Sequence, residues 1–272
     1  MLSVVIPAHN EARVIGRLLD GLLDGERFDV VVVANGCTDD TAEVARAHGV
    51  RVVETPKPSK RTALRLGDEA ARGYPRLYVD ADIELTAASA KALGEALAQG
   101  FLAAAPQRVL ALDGRSWLVR AYYAIWVRLP HVRAGLFGRG VIAVSEAGNE
   151  RIRALPPVMA DDLAASLAFK AEERVIVPSA EVVIQTPRTF ADLMRRRVRA
   201  VTSVAELDAD AQAGAGDRTG VRDLLAIVIR RPWLAPAAGV FVGVAVLARR
   251  RAARAIRAGD YTTWLRDESS RT

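Results

Sequence analysis

The stretch LYVDAD, residues 77–82, passes from three apolar residues into two aspartates separated by a single alanine. Side chains that follow a buried parallel strand lie at the carboxyl edge of the sheet, where open α/β folds bind their ligands. Two carboxylates this close repel each other, and a hard divalent cation removes that cost while also accepting diphosphate oxygens. The pattern indicates a Mg²⁺ or Mn²⁺ site at Asp80 and Asp82, although a solvated turn that caps a helix would show the same residues.

The segments around this stretch alternate short apolar runs with amphipathic runs, which is typical of βα units around a mostly parallel sheet. The pattern becomes less regular after Pro106, in the part of the chain that we expect to adapt to a particular substrate. Strands are predicted at residues 2–8, 30–34, 50–53, 76–79, 101–105, 175–177 and 182–184. Helices are predicted from about 14 to 23, from about 40, and at 59–72, 87–99, 115–128, 161–170 and 190–213.

Composition and charge restrict the partners and the compartment. The chain has 272 residues, a net charge of +6 and a single cysteine, Cys37, so it forms no internal disulfide and a reducing, cytoplasmic compartment is expected. Residues 1–16 have no basic lead and are not predicted to be a signal peptide. The positive charge favours anionic partners. Aromatic residues are only 6% and do not interleave with the arginine clusters, so nucleic acid is not expected among them.

The C-terminal part has a different composition. Residues 211–220 are small and flexible, as in a linker, and residues 233–248 are apolar with arginines on both sides. A helix over 233–248 would rise about 24 Å, short of the roughly 30 Å hydrocarbon core of a bilayer. Membrane association and burial in the protein are therefore both left open. We predict a main domain at 1–213 and a helical appendage at 214–272.

Four segments give a more specific indication when they are taken together. VVIPAHNEA (4–12), VVANGCTDDT (32–41), SKRTALRLG (59–67) and YVDAD (78–82) occur in an order and at spacings that resemble family 2 glycosyltransferases. The resemblance is strong over the first 100 residues and looser over the next 100. It implies the GT-A nucleotide-diphospho-sugar transferase fold, with a mostly parallel central sheet flanked by helices. Residues 1–105 would bind the nucleotide sugar, and residues 106–213 the acceptor.

The resemblance also assigns donor-binding residues. The loop after the first strand would lie beside the nucleotide, and Lys60 and Asp80 near the diphosphate. Asn35 and Cys37 stand where relatives commonly have aspartate and serine, which leaves the base open among uracil, guanine and thymine. Asp39 would bind the donor or cap the next helix. The donor-binding set implied by the resemblance is Pro7, His9, Asn10, Glu11, Asn35, Asp39, Lys60 and Asp80.

The remaining implied residues concern the transfer step. Asp161 and Asp162 resemble the acidic pair whose last member is the general base in the family, and we take Asp162 first and Asp161 second. Gly138, Arg139 and Gly140 stand where relatives have a loop near donor and acceptor, although a plain turn is equally compatible. Contacts with the diphosphate or the membrane are implied for Arg195, Arg196 and Arg199.

The expected function is therefore an inverting, metal-dependent glycosyltransferase of the hexosyltransferase class, using a UDP-, GDP- or dTDP-sugar. The acceptor would be a lipid-linked saccharide or a small metabolite, and the apolar tail favours a lipid acceptor at the cytoplasmic face of the membrane. A sugar-phosphate nucleotidyltransferase is the alternative enzyme, but its glycine-rich first loop is replaced here by PAHNEA. A non-catalytic membrane scaffold that retains the fold would be expected to lose one of the acidic pairs, and both are present.

Overall fold

The computed structural model describes residues 1–155, 161–210 and 220–257, with side chains described for 1–155, 163–202 and 220–254. Within these ranges eight strands form one sheet, in the order β3-β2-β1-β4-β7-β6-β8-β5. The strands are β1 (Ser3–Ala8), β2 (Asp29–Asn35), β3 (Arg51–Thr55), β4 (Arg76–Val79), β5 (Ile83–Leu85), β6 (Ala103–Ala111), β7 (Val141–Val144) and β8 (Arg174–Gln185).

Helices flank this sheet and also form the C-terminal end of the described chain. They are α1 (Ile15–Leu23), α2 (Thr41–Ala47), α3 (Lys60–Ala70), α4 (Ala87–Ala98), α5 (Trp117–Trp126), α6 (Pro130–Ala134), α7 (Glu146–Arg153), α8 (Asp161–Leu167), α9 (Phe190–Asp210), α10 (Val221–Arg230) and α11 (Ala235–Arg257). Short 3-10 turns cover Ala171–Glu173 and Pro232–Leu234.

The half of the sheet formed by β3, β2, β1 and β4 is entirely parallel, as the βα pattern predicts. The other half is mixed, because β7 runs antiparallel to both β4 and β6 whereas β6 and β8 are parallel. The predicted α/β fold is confirmed, and its parallel character belongs mainly to the N-terminal half. The carboxyl ends of β1, β2 and β4 therefore meet at one edge.

Packing against this sheet fixes the position of α3. Ser59 caps the helix, since its hydroxyl accepts the Thr62 amide N–H at 3.2 Å, as the sequence indicates. A Cβ on Gly67 would lie 2.3 Å from a methyl carbon of Val5, so only glycine allows α3 to approach the sheet this closely. The N-terminus of α3 is thereby held beside the end of β4.

A buried polar cluster holds the start of β4. The carboxylate of Asp68 accepts hydrogen bonds from Arg76 (2.5 Å), Tyr78 (2.7 Å) and Asn149 (3.1 Å), and Arg153 lies 3.4 Å away. Burial, followed by the charge of Asp68 and the hydrogen bond to it, raises the pKa of Tyr78. These contacts tie α3, β4 and α7 together, so the strand that delivers Asp80 is anchored at its other end.

Three strand predictions differ from the structure. Residues 175–177 and 182–184 belong to the single strand β8, and the predicted strand 101–105 extends as β6 through Pro106. Between Pro106 and Gln107 the register shifts, and residues 178–180 of β8, which include Pro178, have no partner in β6; such an irregularity accommodates proline in a strand. The short strand β5 was not predicted, because three residues carry too little periodicity.

The C-terminal helix α11 packs on α5 and α9 with one face. Phe241, Val244, Ala248 and Ala252 are buried at helical spacing, whereas the exposed fractions of Val242, Val246 and Leu247 are 40–44%. Residues Pro232–Arg254 are long and apolar enough to cross a membrane, and 17% of the apolar window is buried. The buried face of α11 agrees with burial of residues 233–248 in the protein, and the exposed face leaves membrane association open. The predicted boundary at 213 and 214 lies outside the described residues.

Candidate active site

Two loops after parallel strands are joined by hydrogen bonds at the carboxyl edge of the sheet. His9, which follows β1, contacts the Asn35 carbonyl oxygen through Nδ1 at 2.7 Å. Asn10 has a left-handed backbone with φ of 54°, and its side-chain oxygen accepts the Thr38 amide N–H at 2.7 Å. An asparagine tolerates this conformation because its side chain replaces a backbone partner. The loop PAHNEA is therefore a fixed wall of the site.

Glu11 lies deeper than the rest of this wall and is 6% exposed. Its amide N–H donates to the hydroxyl of Thr41 at 2.8 Å, which connects the loop to the first residue of α2. Thr38 and Thr41 were not among the predicted residues, although hydroxyl residues after a strand are frequent partners of such loops. Pro7 is half-buried within β1, two residues before His9.

Asn35 is 4% exposed, and its side-chain amide contacts two backbone groups. The nitrogen donates to the Ala8 carbonyl at 2.7 Å, and the oxygen accepts the Ser59 amide N–H at 3.0 Å. The residue thus joins the end of β1 to the cap of α3. This geometry gives Asn35 a positioning role, and the base contact implied by the resemblance stays a prediction.

Asp39 also makes local hydrogen bonds. Its carboxylate accepts from the Thr41 hydroxyl at 2.5 Å, the Thr41 amide at 3.2 Å and the Ala12 amide at 3.1 Å. Of the two roles left open for this aspartate, the described contacts correspond to capping at the start of α2. Through the Ala12 amide, the carboxylate also joins the loop after β1 to the loop after β2.

The acidic pair follows β4 at this same edge. Asp80 donates its amide N–H to the Gly140 carbonyl at 2.8 Å, and its carboxylate lies 3.1 Å from the Lys60 ammonium nitrogen. The side chains of Lys60 and Asp80 are 35% and 43% exposed, so a ligand can reach both. Asp82 is half-buried immediately before β5. The structure therefore brings together Lys60, Asp80 and Gly140 from three segments that are distant in the sequence.

The donor set at this edge suits a hard cation held jointly with a ligand. Among the described residues no group of three or more His, Cys, Asp or Glu side chains could hold a metal by itself. Mg²⁺ is commonly bound by one or two carboxylates, with substrate phosphates and water as the other ligands. Asp80 and Asp82 fit that arrangement, and Lys60 offers a second cation for phosphate.

The loop Gly138–Gly140 contacts Asp80 through the Gly140 carbonyl, which accepts the Asp80 amide N–H. Gly138 and Gly140 have φ of 63° and 69°, and a Cβ on Gly140 would lie 2.7 Å from a methyl of Ile83. Arg139 is 3% exposed and donates to the carbonyls of Gly135, Pro106 and Arg133 at 2.8–3.0 Å. Burial lowers the pKa of Arg139 to about 9, and the charge of Arg108 adds to this effect. The arginine side chain therefore points into the protein, on the other side of the loop from Asp80.

The remaining predicted residues are less completely placed. Asp161 and Asp162 form the first turn of α8, and their side chains lie outside the described part of the chain. On α9, Arg195 is paired with the buried Asp192, Arg196 donates to the Gln185 carbonyl at 3.3 Å, and Arg199 is exposed. The pair of Arg195 and Asp192 lies within α9, whereas the contact of Arg196 joins α9 to the end of β8.

Comparison with known proteins adds family information to this geometry. The family model described as Glycosyl transferase family 2 matches residues 3–147, slightly more than half of the chain. The 4,4'-diaponeurosporenoate glycosyltransferase of Staphylococcus aureus strain USA300 is 44% identical over 54 residues, which cover 20% of this chain. That match spans only 14% of the relative's length.

Solved structures resemble a larger part of the chain. Glucosyl-3-phosphoglycerate synthase from Mycobacterium tuberculosis, crystallised with Mn²⁺, UDP-glucose and phosphoglyceric acid, superposes with a TM-score of 0.57 at 20% identity. The alignment covers 82% of this chain and 84% of that one. A second structure, described as a mycobacterial protein, has a TM-score of 0.55 at 21% identity and covers 75% and 73% of the two chains. At these identities the likeness concerns the fold.

Proposed function

The chain belongs to glycosyl transferase family 2 and has the GT-A fold, and from this premise we propose that it moves a sugar from a nucleotide-diphosphate donor to a hydroxyl acceptor. The observation that carries the proposal is the meeting of Lys60, Asp80 and the Gly140 carbonyl at the carboxyl end of β4. This is where an open α/β sheet binds ligands, and the site combines a cation with an acidic pair.

In this proposal the donor binds at the carboxyl edge of the sheet, between the loop PAHNEA and the start of α3. His9, Asn10 and Glu11 line the nucleotide side, where the contacts from Thr38 and Thr41 keep the loop rigid. Lys60 stands at the first turn of α3, which has no acidic residue, so the helix dipole and the ammonium group both favour a diphosphate there. Mycobacterial neighbours bound to UDP and UDP-glucose make a UDP-sugar the first donor to test.

Asp80 and Asp82 would hold Mg²⁺ or Mn²⁺ together with the donor phosphates. The ion supplies charge neutralisation for the departing diphosphate. The Gly140 carbonyl holds the Asp80 amide and Lys60 holds the Asp80 carboxylate, so Asp80 is positioned to receive an ion. Mn²⁺ is present in the neighbouring mycobacterial structures and is the first ion to test.

The general base in this proposal is Asp162, with Asp161 as the second choice. Inversion requires a carboxylate that takes the proton from the acceptor hydroxyl while its oxygen attacks the anomeric carbon opposite the leaving group. Both residues stand in the first turn of α8. We expect Asp162→Asn to lose transferase activity while it still binds UDP. If Asp161→Asn loses activity instead, Asp161 is the base.

The acceptor is proposed to be lipid-linked and to be reached at the cytoplasmic surface of a membrane. Support comes from α10, α11 and the 3-10 turn between them, where large apolar residues are exposed and arginines stand at the end of α10 and in the second half of α11. The exposed set comprises Val221 (73%), Leu225 (54%), Ile229 (76%), Trp233 (72%), Val242 (44%), Val246 (40%) and Leu247 (41%). Such a combination of apolar face and flanking cations suits an interface with anionic lipid.

A thermal-shift panel tests the core of the proposal. UDP, GDP and dTDP are compared with and without Mn²⁺, on the parent chain and on Asp80→Asn and Asp82→Asn. We expect one diphosphate to raise the melting temperature in a Mn²⁺-dependent way, and both variants to lose that dependence. Asp113→Asn, at an exposed position in another loop, is the matched control. Equal shifts in parent and site variants would contradict the metal assignment, and no shift with any diphosphate would contradict donor binding.

A further inference from the structure

An arginine-lined cavity of about 790 Å³ lies among β6, α6, α10 and the end of α5. Its only acidic lining residue among those described, Asp223, accepts the Gly220 amide N–H at 3.0 Å, as expected for a residue in the first turn of α10. The cavity is therefore strongly cationic. Its arginines are Arg108, Arg128, Arg133, Arg139, Arg230 and Arg231.

Three of these arginines, Arg108, Arg128 and Arg139, donate to backbone carbonyls. Arg108 donates to the carbonyls of Val132 (2.9 Å) and Phe137 (3.1 Å) and stacks on the ring of Trp126 at 4.8 Å. Arg128 donates to the Ala124 carbonyl at 2.5 Å, and its Nε is buried with no hydrogen-bond partner in the described structure. A buried donor without an acceptor is costly, so an arriving anion would find a ready partner.

Carboxylates do not balance this charge. Across the described side chains, Arg128, Arg133, Arg230 and Arg231 form no ion pair with an acid. Burial lowers the pKa of Arg128, and the charge of Arg231 acts in the same direction. Several like charges in one partly enclosed space repel each other, and a multiply charged anion would relieve that repulsion.

A second space of about 640 Å³ adjoins the arginine-lined cavity and shares Arg108, Val127 and Arg128 with it. Its further lining is largely apolar and comes from the end of β6, from α5 and from the start of α11: Leu110, Leu112, Ala121, Tyr123, Ala124, Leu234 and Ala237, with Arg120 at its edge. We call this space the apolar groove. A ligand that filled both spaces would need a charged end and a hydrocarbon end.

The arginine-lined cavity is also close to the acidic pair along the chain. Arg139 lines the cavity, whereas the carbonyl of the next residue, Gly140, accepts the Asp80 amide N–H. One loop thus separates the two sites.

We propose that the arginine-lined cavity and the apolar groove together bind one amphiphile that ends in a phosphate group. The phosphate is held by the arginines, and the hydrocarbon lies in the groove beside the start of α11. A guanidinium fork matches phosphate oxygens in pairs, and a phosphate carries more charge than a single carboxylate. Resting on the proposed function, this amphiphile carries the acceptor hydroxyl.

Calorimetric titration of the full chain without nucleotide tests the inference. The probes are decyl phosphate below its micelle concentration, inorganic phosphate and decanol. We expect decyl phosphate to bind at least about tenfold more tightly than either of the others, because only it uses both spaces. The Arg128→Gln/Arg231→Gln double variant should lose about tenfold or more in affinity for decyl phosphate. Arg222→Gln, an exposed arginine on α10 that does not line the cavity, should bind as the parent does.

The outcomes are distinct. Inorganic phosphate binding as tightly as decyl phosphate would overturn the amphiphile, and decanol binding as tightly would overturn the anion site. Equal affinity of parent and double variant overturns the arginine assignment; if the double variant unfolds, Arg133→Gln replaces it, since that side chain is exposed. Binding of decyl phosphate without any diphosphate-dependent thermal shift would retain this inference while rejecting the proposed transferase.

Discussion

The ammonium nitrogen of Lys60 lies 3.1 Å from a carboxylate oxygen of Asp80. This contact joins the first residue of α3 to the residue that follows β4, across 20 positions of the chain. The same lysine that neutralises Asp80 in the absence of ligand is thus placed to meet the phosphates of a bound donor. Lys60 should therefore compete with a metal ion for the Asp80 carboxylate, and it should also attract the phosphates of the nucleotide.

Replacing Lys60 by glutamine should separate these effects. Mn²⁺ alone is expected to bind more tightly, by roughly three- to tenfold, because a competing cation is removed from Asp80. UDP measured at saturating Mn²⁺ should bind more weakly, since its phosphates lose a charged donor. Stability should change by less than about 1 kcal/mol, as the pair is partly exposed. Titration calorimetry of Lys60→Gln beside Lys57→Gln, an exposed neighbour, checks this; parallel changes for metal and UDP would contradict it.

Gly140 is expected to tolerate no side chain. In Gly140→Ala, a left-handed backbone costs about 1–2 kcal/mol, and the new Cβ meets a methyl of Ile83 at 2.7 Å. Asp80 should shift with the loop, so UDP and Mn²⁺ binding should weaken as well. Gly138→Ala is the matched control, because its φ is similar but its nearest neighbour is the Trp126 ring at 3.5 Å. Urea unfolding of both variants measures the difference, and equal losses would show that the contact with Ile83 is unimportant.

The outer face of α11 should mediate membrane binding. The full chain is expected to sediment with vesicles that contain anionic phospholipid, and Val242→Asp/Val246→Asp should reduce the bound fraction severely, because two charges enter the apolar face. Val109→Asp replaces an equally exposed apolar residue on β6 and should leave binding intact. If the parent chain stays in the supernatant, or if both charged variants behave alike, α11 is not the contact.

Asp29 should make stability depend on pH. Burial alone would raise its pKa, but hydrogen bonds from the Arg72 amide, Ser3 and Arg51 outweigh burial and hold the pKa below 3.8. Since the folded-state pKa is the lower one, the stabilisation is complete above about pH 4 and disappears as the pH falls through the folded-state value. Asp29→Asn should lose about 2 kcal/mol of unfolding free energy at neutral pH.

The difference in unfolding free energy between the parent and Asp29→Asn should then narrow as the pH falls below about 4. Urea unfolding at neutral and acidic pH provides the measurement, with the exposed Asp113→Asn as control. If the difference in unfolding free energy between the parent and Asp29→Asn stays constant over this pH range, the carboxylate of Asp29 titrates as it does in the unfolded chain.

Much of the N-terminal half can be predicted from the sequence, because its strands and helices are coded locally. Apolar runs of four to seven residues give β1 to β4, and Ser59 gives the start of α3. Parallel strands connected by helices then bring the loops after β1, β2 and β4 to one edge. The chemistry of that edge follows from LYVDAD and PAHNEA without knowledge of the contacts.

The second half could not be predicted as well, since its pairing partners are far apart. The joining of β6 to β8 connects Ala103 with Arg174, and the register shifts at residues 178–180 of β8, which include Pro178. Residues 175–177 and 182–184 look like two strands because proline normally ends one. Only the pairing with β6 on both sides of Pro178 shows that these residues form one strand, β8.

What the sequence alone determined is the fold class and the set of polar groups at the carboxyl edge, because both depend on patterns within a few residues of each other. What only the tertiary structure decided is how those groups are used. It paired Lys60 with Asp80 and directed the amide of Asn35 to two backbone groups. It also turned Arg139 inward, to join arginines from β6, α6 and α10. Such contacts depend on distances across the folded chain, which no local pattern encodes.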